Sequence, residues 1–204
     1  MNCEFKPDSR IVFVHLHKSG GGTIKAALKH SGRVVLTGGH RALSTYKLRE
    51  DDLVLGNIRN PYAQYVSLWA YGCKRKGQLF QGIRKRVPHL LPLYADAMNR
   101  ENFRAWLKLV LSPLVCRRPG IGFYTQRFCR LYGVPDNVDH FIRCENMADD
   151  LAIVGIDLSL MKKQVRNRSS HLPYAEYYDA ETADLVFQHD QLLFQEFDYP
   201  HLFS

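Results

Sequence analysis

Lys18, Ser19, Gly20, Gly21, Gly22 and Thr23 follow one another without interruption, and the run is suited to holding an oxyanion. Glycines let backbone N–H groups approach a negative charge, a helix start adds partial positive charge, and the lysine adds a full one. Arg59 and Ser67 offer a second grip of the same kind, a guanidinium with a neutral hydroxyl donor, which suits a terminal phosphate. The chain has nine histidines, and His15, His17 and His40 fall in or beside glycine-bearing stretches. A histidine near its reference pKa of ~6.5 is largely neutral at pH 7 and able to take a proton. His15 alternates with Val14 and Leu16 and is expected to be buried and hydrogen-bonded. The chemistry on offer is capture of phosphate-type anions next to a proton acceptor.

These groups need elements to position them. Ile11 to Val14 is a β-branched and aromatic run that reads as a buried strand, and Ile24 to Leu28 as the helix after the glycines, with Gly32 as its stop. Arg33 to Thr37 reads as a short second strand, 42–52 as irregular or a helical turn, and Leu53 to Arg59 as a third strand. Asn60 suits the cap of a following helix and Pro61 its first position. Strands alternating with helical segments predict an α/β fold with an open, mainly parallel sheet flanked by helices. The clusters 15–23, 38–41 and 59–67 each follow a strand, and ligands of such sheets bind at the carboxyl ends of the strands.

Two familiar cradles are excluded. The nucleotide triphosphatase form needs Gly directly before Lys, and the chain has no Gly-Lys pair. The dinucleotide form GxGxxG fails because position 25 is lysine. With 204 residues and 46% hydrophobic content, there is enough chain for a full core. The net charge of +8 favours an anionic ligand or surface without choosing among them. The five cysteines are scattered and form no CxxC, which argues against a zinc knuckle or disulfide framework and for reduced thiols in a cytoplasmic setting. No apolar signal segment opens the chain and no run approaches membrane-spanning length, so membrane insertion is not expected.

In this chain the lysine precedes the glycines. The order His15-x-x-Lys18-Ser19-Gly20-Gly21-x-Thr23 after a strand resembles the 5′-phosphosulfate loop of sulfotransferases that use 3′-phosphoadenosine-5′-phosphosulfate (PAPS). Arg59-Asn60-Pro61-Tyr62, continued to Ser67-Leu68-Trp69, resembles that family's 3′-phosphate motif, in which a serine follows the arginine by eight residues. Val138 to Leu151 is similar to the family's late strand and the helix after it, Asn167 to His171 to its closing loop, and Ala180 to Phe197 to its last helix. In that helix Leu185, Leu192, Leu193 and Phe197 are expected on one face, with Asp179 as the cap. The resemblance implies a P-loop-like sulfotransferase fold over 1–204 as one domain. Its cofactor-binding core would span about 10–72 and 136–204, and a variable acceptor-side insertion about 73–122.

The same resemblance implies cofactor contacts from Lys18 to Thr23 on the 5′ side, from Arg59 and Ser67 on the 3′ side, and from Asn167 and Arg168 on the closing loop. His40, in Gly38-Gly39-His40-Arg41, resembles the base of the carbohydrate-modifying branch, so His40 and Lys18 are the implied catalytic pair, with His171, Glu50 and Glu145 as the alternatives for the base. His17 stands where the family more often carries proline, and Gly22 where it carries Thr or Ser. The implied reaction is sulfuryl transfer to a hydroxyl or amine of a carbohydrate or small-molecule acceptor, leaving 3′,5′-adenosine bisphosphate and needing no metal. The acceptor side is read on His17, Arg41, Trp106 and Tyr124. Phe103, Trp106, Leu107 and Val110 form a helical stripe that reads as core first and as an acceptor wall second.

Other classes make different demands. A kinase-like P-loop enzyme needs Walker A, which is missing. A nucleic-acid module needs aromatics interleaved with basic residues, and only 74–86 hints at that. A non-catalytic adenosine-phosphate binder differs only in lacking the base.

Overall fold

The elements of this computed structural model, which describes residues 9–116, 118, 120–160 and 171–203, follow from the sequence in chain order. They are β1 (Ile11–Phe13), α1 (Gly21–His30), β2 (Val35–Leu36), β3 (Leu53–Ile58), α2 (Pro61–Cys73), α3 (Gln78–Arg86), α4 (Arg100–Leu111), α5 (Phe123–Tyr132), β4 (His140–Arg143), α6 (Met147–Ile153), α7 (Ala180–His189) and α8 (Gln191–Glu196). Short 3-10 turns, including one at Leu43–Thr45, join them. The described residues fall into two compact units, one made of 9–59 and 127–160, the other of 60–126 and 171–203.

The first unit holds the sheet. Its four strands are all parallel in the order β2-β1-β3-β4, so the expected open α/β sheet is present. Ile11, Phe13, Leu53, Leu55 and Ile142 bury one face against Ile24, Ala27 and Leu28 of α1 and Leu151 of α6. On the other face Phe128 and Tyr132 of α5 pack on Phe141 of β4. Gly56 in β3 admits that ring, since a side chain there would lie 2.5 Å from it. β2 is shorter than the expected 33–37 stretch, and Gly32 stops α1 with φ 73°. The wholly apolar, buried β1 is what two-sided cover requires.

The second unit is helical. Asn60 caps α2 by accepting from Tyr62 N (2.9 Å), with Pro61 at the first position. Phe103, Trp106, Leu107 and Val110 of α4 are all buried. Asp179 caps α7 in a reciprocal capping box with Thr182. The helix expected over 180–197 is instead two, broken at Asp190. That carboxylate is fully buried and accepts from Tyr65 Oη (2.6 Å), Thr125 N (2.8 Å) and Thr125 Oγ1 (2.6 Å). The break turns the buried face to Ala183, Val186, Leu193 and Phe194, and leaves Leu192 exposed. Among the described residues no helix is long and apolar enough to cross a membrane.

Candidate functional site

From β1 the chain runs out to β2 on one side, and then returns to β3 on the other. The carboxyl ends of β1 and β3 are therefore neighbours at a reversal of strand order, the place where open α/β sheets bind ligands. The turn His17–Gly20 leaves β1 there, and Arg59 leaves β3. Arg59 Nη1 donates to the Lys18 carbonyl at 3.1 Å, which joins the two stretches.

Asn57 sets the turn from below. It is fully buried in β3; its Oδ1 accepts from Leu16 N (2.7 Å) and its Nδ2 donates to Ser19 O (2.5 Å). Tyr132 Oη accepts from Asn57 N and faces the carbonyls of Val14 and Asn57, each at 3.1 Å. With its ends held this way, the turn puts Lys18 in the left-handed region at φ 64°, a conformation costing ~1–2 kcal/mol for a residue with a side chain. Ser19 is fully buried, with its hydroxyl 3.4 Å from His17 O, so this side chain lies inside the turn. Thr23 is half-buried, and its N–H is engaged by Gly20 O at 2.9 Å. The remaining first-turn N–H groups of α1 belong to Gly21 and Gly22, and no acid occupies that turn.

The glycines are present for three different reasons. Gly20 has φ 78° and lies under the Met147 side chain. Gly21 leaves room for His15, whose Nδ1 would be 2.6 Å from a Cβ there. Gly22 faces open space, with nothing within 4 Å of a Cβ. Gly22→Ala is expected to raise stability by ~0.5–1 kcal/mol, and Gly21→Ala to lower it by roughly 1–3 kcal/mol by forcing the buried ring aside. Urea midpoints of the two variants measure the difference.

Three imidazoles converge beside the turn. His15 stacks on Phe13 and lies 4.2 Å from His40 between ring centroids, and His17 stacks on His40. His40 Nδ1 is 2.9 Å from the His15 carbonyl. A carbonyl only accepts, so Nδ1 carries the proton and Nε2 presents a lone pair. His15 is buried as expected but not satisfied, because its Nε2 has no hydrogen-bond partner. Burial pushes His15 down to about 3, helped by His40 and Lys25, and pushes His17 down to about 3, helped by His40 and Arg127. Burial also lowers His40, against the raising effect of its bond to His15, with Lys25, Arg127 and Arg130 adding to the fall. All three rings are neutral at pH 7. Among the described residues no group of three or more His, Cys, Asp or Glu is placed to hold a metal ion.

Lys18, Gly20, Gly21, Gly22, Thr23, His17, His40 and Arg59 thus belong to one unit, in or beside one turn. Arg41 is exposed on the next loop, its guanidinium 5.8 Å from the Tyr46 ring centroid. Trp106 and Tyr124, read on the acceptor side, lie in the second unit. Both are buried: Trp106 lies in the α4 stripe, where its Nε1 donates to Tyr94 Oη, and Tyr124 N donates to Tyr65 Oη at 3.3 Å. Ser67 is likewise buried in α2. Asn167 and Arg168 lie outside the described residues.

Residues the sequence reading passed over are Asn57, Tyr132, Arg127 and Arg130. A lone amide inside the apolar run Leu53–Ile58 was a usable signal for Asn57, and two arginines spaced i,i+3 in one helix for Arg127 and Arg130. Comparison of the chain with protein-family models, curated proteins and solved structures returns no match.

Proposed function

We propose that the chain is a PAPS-dependent sulfotransferase acting on a hydroxyl or amine of a carbohydrate or small-molecule acceptor. The observation that carries this reading is the joining of Arg59 to the Lys18 turn at the strand-order reversal, beside a histidine whose Nε2 holds a lone pair. The cofactor would supply the sulfuryl group and a phosphate leaving group. Lys18 and the N–H groups of Gly21 and Gly22 would balance the charge on that departing 5′-phosphate. Arg59 would hold the 3′-phosphate. His40 Nε2 would take the proton that the acceptor oxygen or nitrogen gives up as it bonds to sulfur.

Calorimetric titration with 3′,5′-adenosine bisphosphate, with 5′-AMP as the control lacking the 3′-phosphate, tests the reading. Wild type is expected to prefer the bisphosphate by about tenfold or more, the scale of one charge-assisted contact. Arg59→Ala is expected to erase that preference, and Lys18→Ala to weaken both ligands. Arg59→Gln, which keeps a donor for the Lys18 carbonyl, separates lost phosphate charge from a loosened turn. Equal affinity of wild type for the two nucleotides would end the proposal.

A further inference from the structure

The two basic triplets at 74–76 and 84–86 take no part in the proposed chemistry. Both lie in the second unit, one just past α2 and the other in the last turn of α3. All six side chains are exposed. Among the described residues none of the six forms an ion pair. No Asp or Glu occurs between Asp52 and Asp96, so six cations stand here without an acid in a chain whose net charge is +8. Helix C-termini favour cations, but that preference does not call for three in succession at each. Phe80 and Ile83 mark the buried face of α3, so Lys85 projects on the opposite side with Arg84 and Arg86 flanking it. Arg75 sits where glycine is the usual residue. Its φ is 59°, and Arg75 N and Lys76 N close α2 on Gly72 O (2.7 Å) and Tyr71 O (3.3 Å). Folding alone would be served at least as well by glycine there.

The basic helix runs directly into an apolar turn. Val87, Leu90, Leu91 and Leu93 are partly exposed in and beside the 3-10 turn Pro88–Tyr94, with Pro88 and Pro92 exposed among them. Tyr94 fastens that turn: it packs edge-on against Phe80 of α3 at 5.1 Å and accepts from Trp106 Nε1. We propose that the two basic triplets and the adjoining leucine turn form a docking face for an anionic lipid surface, on which the protein adsorbs without crossing it. Lipid headgroups supply the negative charge that the triplets lack, and the acyl boundary beneath them takes the leucines. The other polyanions match only half of this face. A nucleic acid gains from rings on which its bases stack, and the two aromatic side chains of the segment, Phe80 and Tyr94, are buried. A sulfated sugar chain offers nothing to the leucines. This face is independent of the sulfotransferase reading.

The test is sedimentation of the whole protein with vesicles of phosphatidylcholine, alone or mixed with phosphatidylserine. Binding is expected on the mixed vesicles only, and is expected to weaken as salt is raised. Arg84→Gln/Lys85→Gln/Arg86→Gln is expected to lower vesicle affinity by about twentyfold or more, at roughly fivefold per cation. Lys29→Gln/Lys47→Gln/Arg49→Gln removes the same charge from exposed positions of the first unit and is expected to stay within about threefold of wild type. Leu90→Ala/Leu91→Ala is expected to weaken vesicle binding by about fivefold while leaving binding to heparin and to duplex DNA unchanged. Urea midpoints check that each variant is folded, and Leu91→Ala alone serves if the leucine pair lowers its midpoint. Equal binding to neutral vesicles, an equal loss in the two triple variants, or full vesicle binding by the leucine variant overturns the assignment. The last of these, with heparin or DNA still bound, would identify a general polyanion site instead.

Discussion

Lowering the pH from 7 to about 4 is expected to destabilise the protein more steeply than a variant without its histidine cluster. His15 and His17 take up protons near 6.5 in the unfolded chain but only at about 3 when folded. Between those values the unfolded state holds more protons, so the contribution is fully present above 6.5 and is lost as the pH falls toward 3. His40 is lowered in the same direction and adds to the effect. The limiting slope is about 1.4 kcal/mol per pH unit for a ring fully withdrawn from water. His17, only half-buried, contributes a screened fraction of that. Urea midpoints across this range, compared with His15→Leu/His17→Phe, isolate the histidine part. Parallel curves for the two proteins would place acid sensitivity in the carboxylates instead, such as Asp52, which Arg10 holds below the usual range.

Asn57→Ala is expected to cost about 3–5 kcal/mol, because it strands two buried backbone groups at once. The Leu16 N–H loses this acceptor and the Ser19 carbonyl this donor, at a site that is fully buried. Tyr132→Phe removes one hydroxyl from the same network and is expected to cost a smaller ~1–2 kcal/mol. Bisphosphate affinity is expected to fall in Asn57→Ala even under conditions where the variant remains folded, since the turn holding Lys18 loses its lower anchor. A variant that unfolds like wild type would show that the turn is held by its own backbone conformation.

Much of this arrangement was legible in local signals. The apolar runs at Ile11 and Leu53 announced central strands, and Asn60-Pro61 announced the start of α2, because each rests on the chemistry of adjacent residues. The α4 stripe was legible as core. What local signals could not carry was long-range capture. Asp190 breaks the last helix because Tyr65 and Thr125, far off in sequence, supply three donors to its carboxylate. The meeting of His40 with His15 and His17 depends on where the chain turns after a two-residue β2, which no spacing in the sequence fixes.

If the Lys18 turn and Arg59 hold the two phosphates as proposed, the bond from Arg59 to the Lys18 carbonyl makes the two grips thermodynamically linked. A guanidinium turned toward a phosphate changes its hold on the turn, and a turn reshaped around a second phosphate changes the guanidinium's setting. By reciprocity, whatever one occupied grip does to the affinity of the other is returned in equal measure. The energies of Lys18 and Arg59 substitutions toward a ligand with two phosphates should therefore fail to add, and the interaction energy of that double-mutant cycle is the coupling itself.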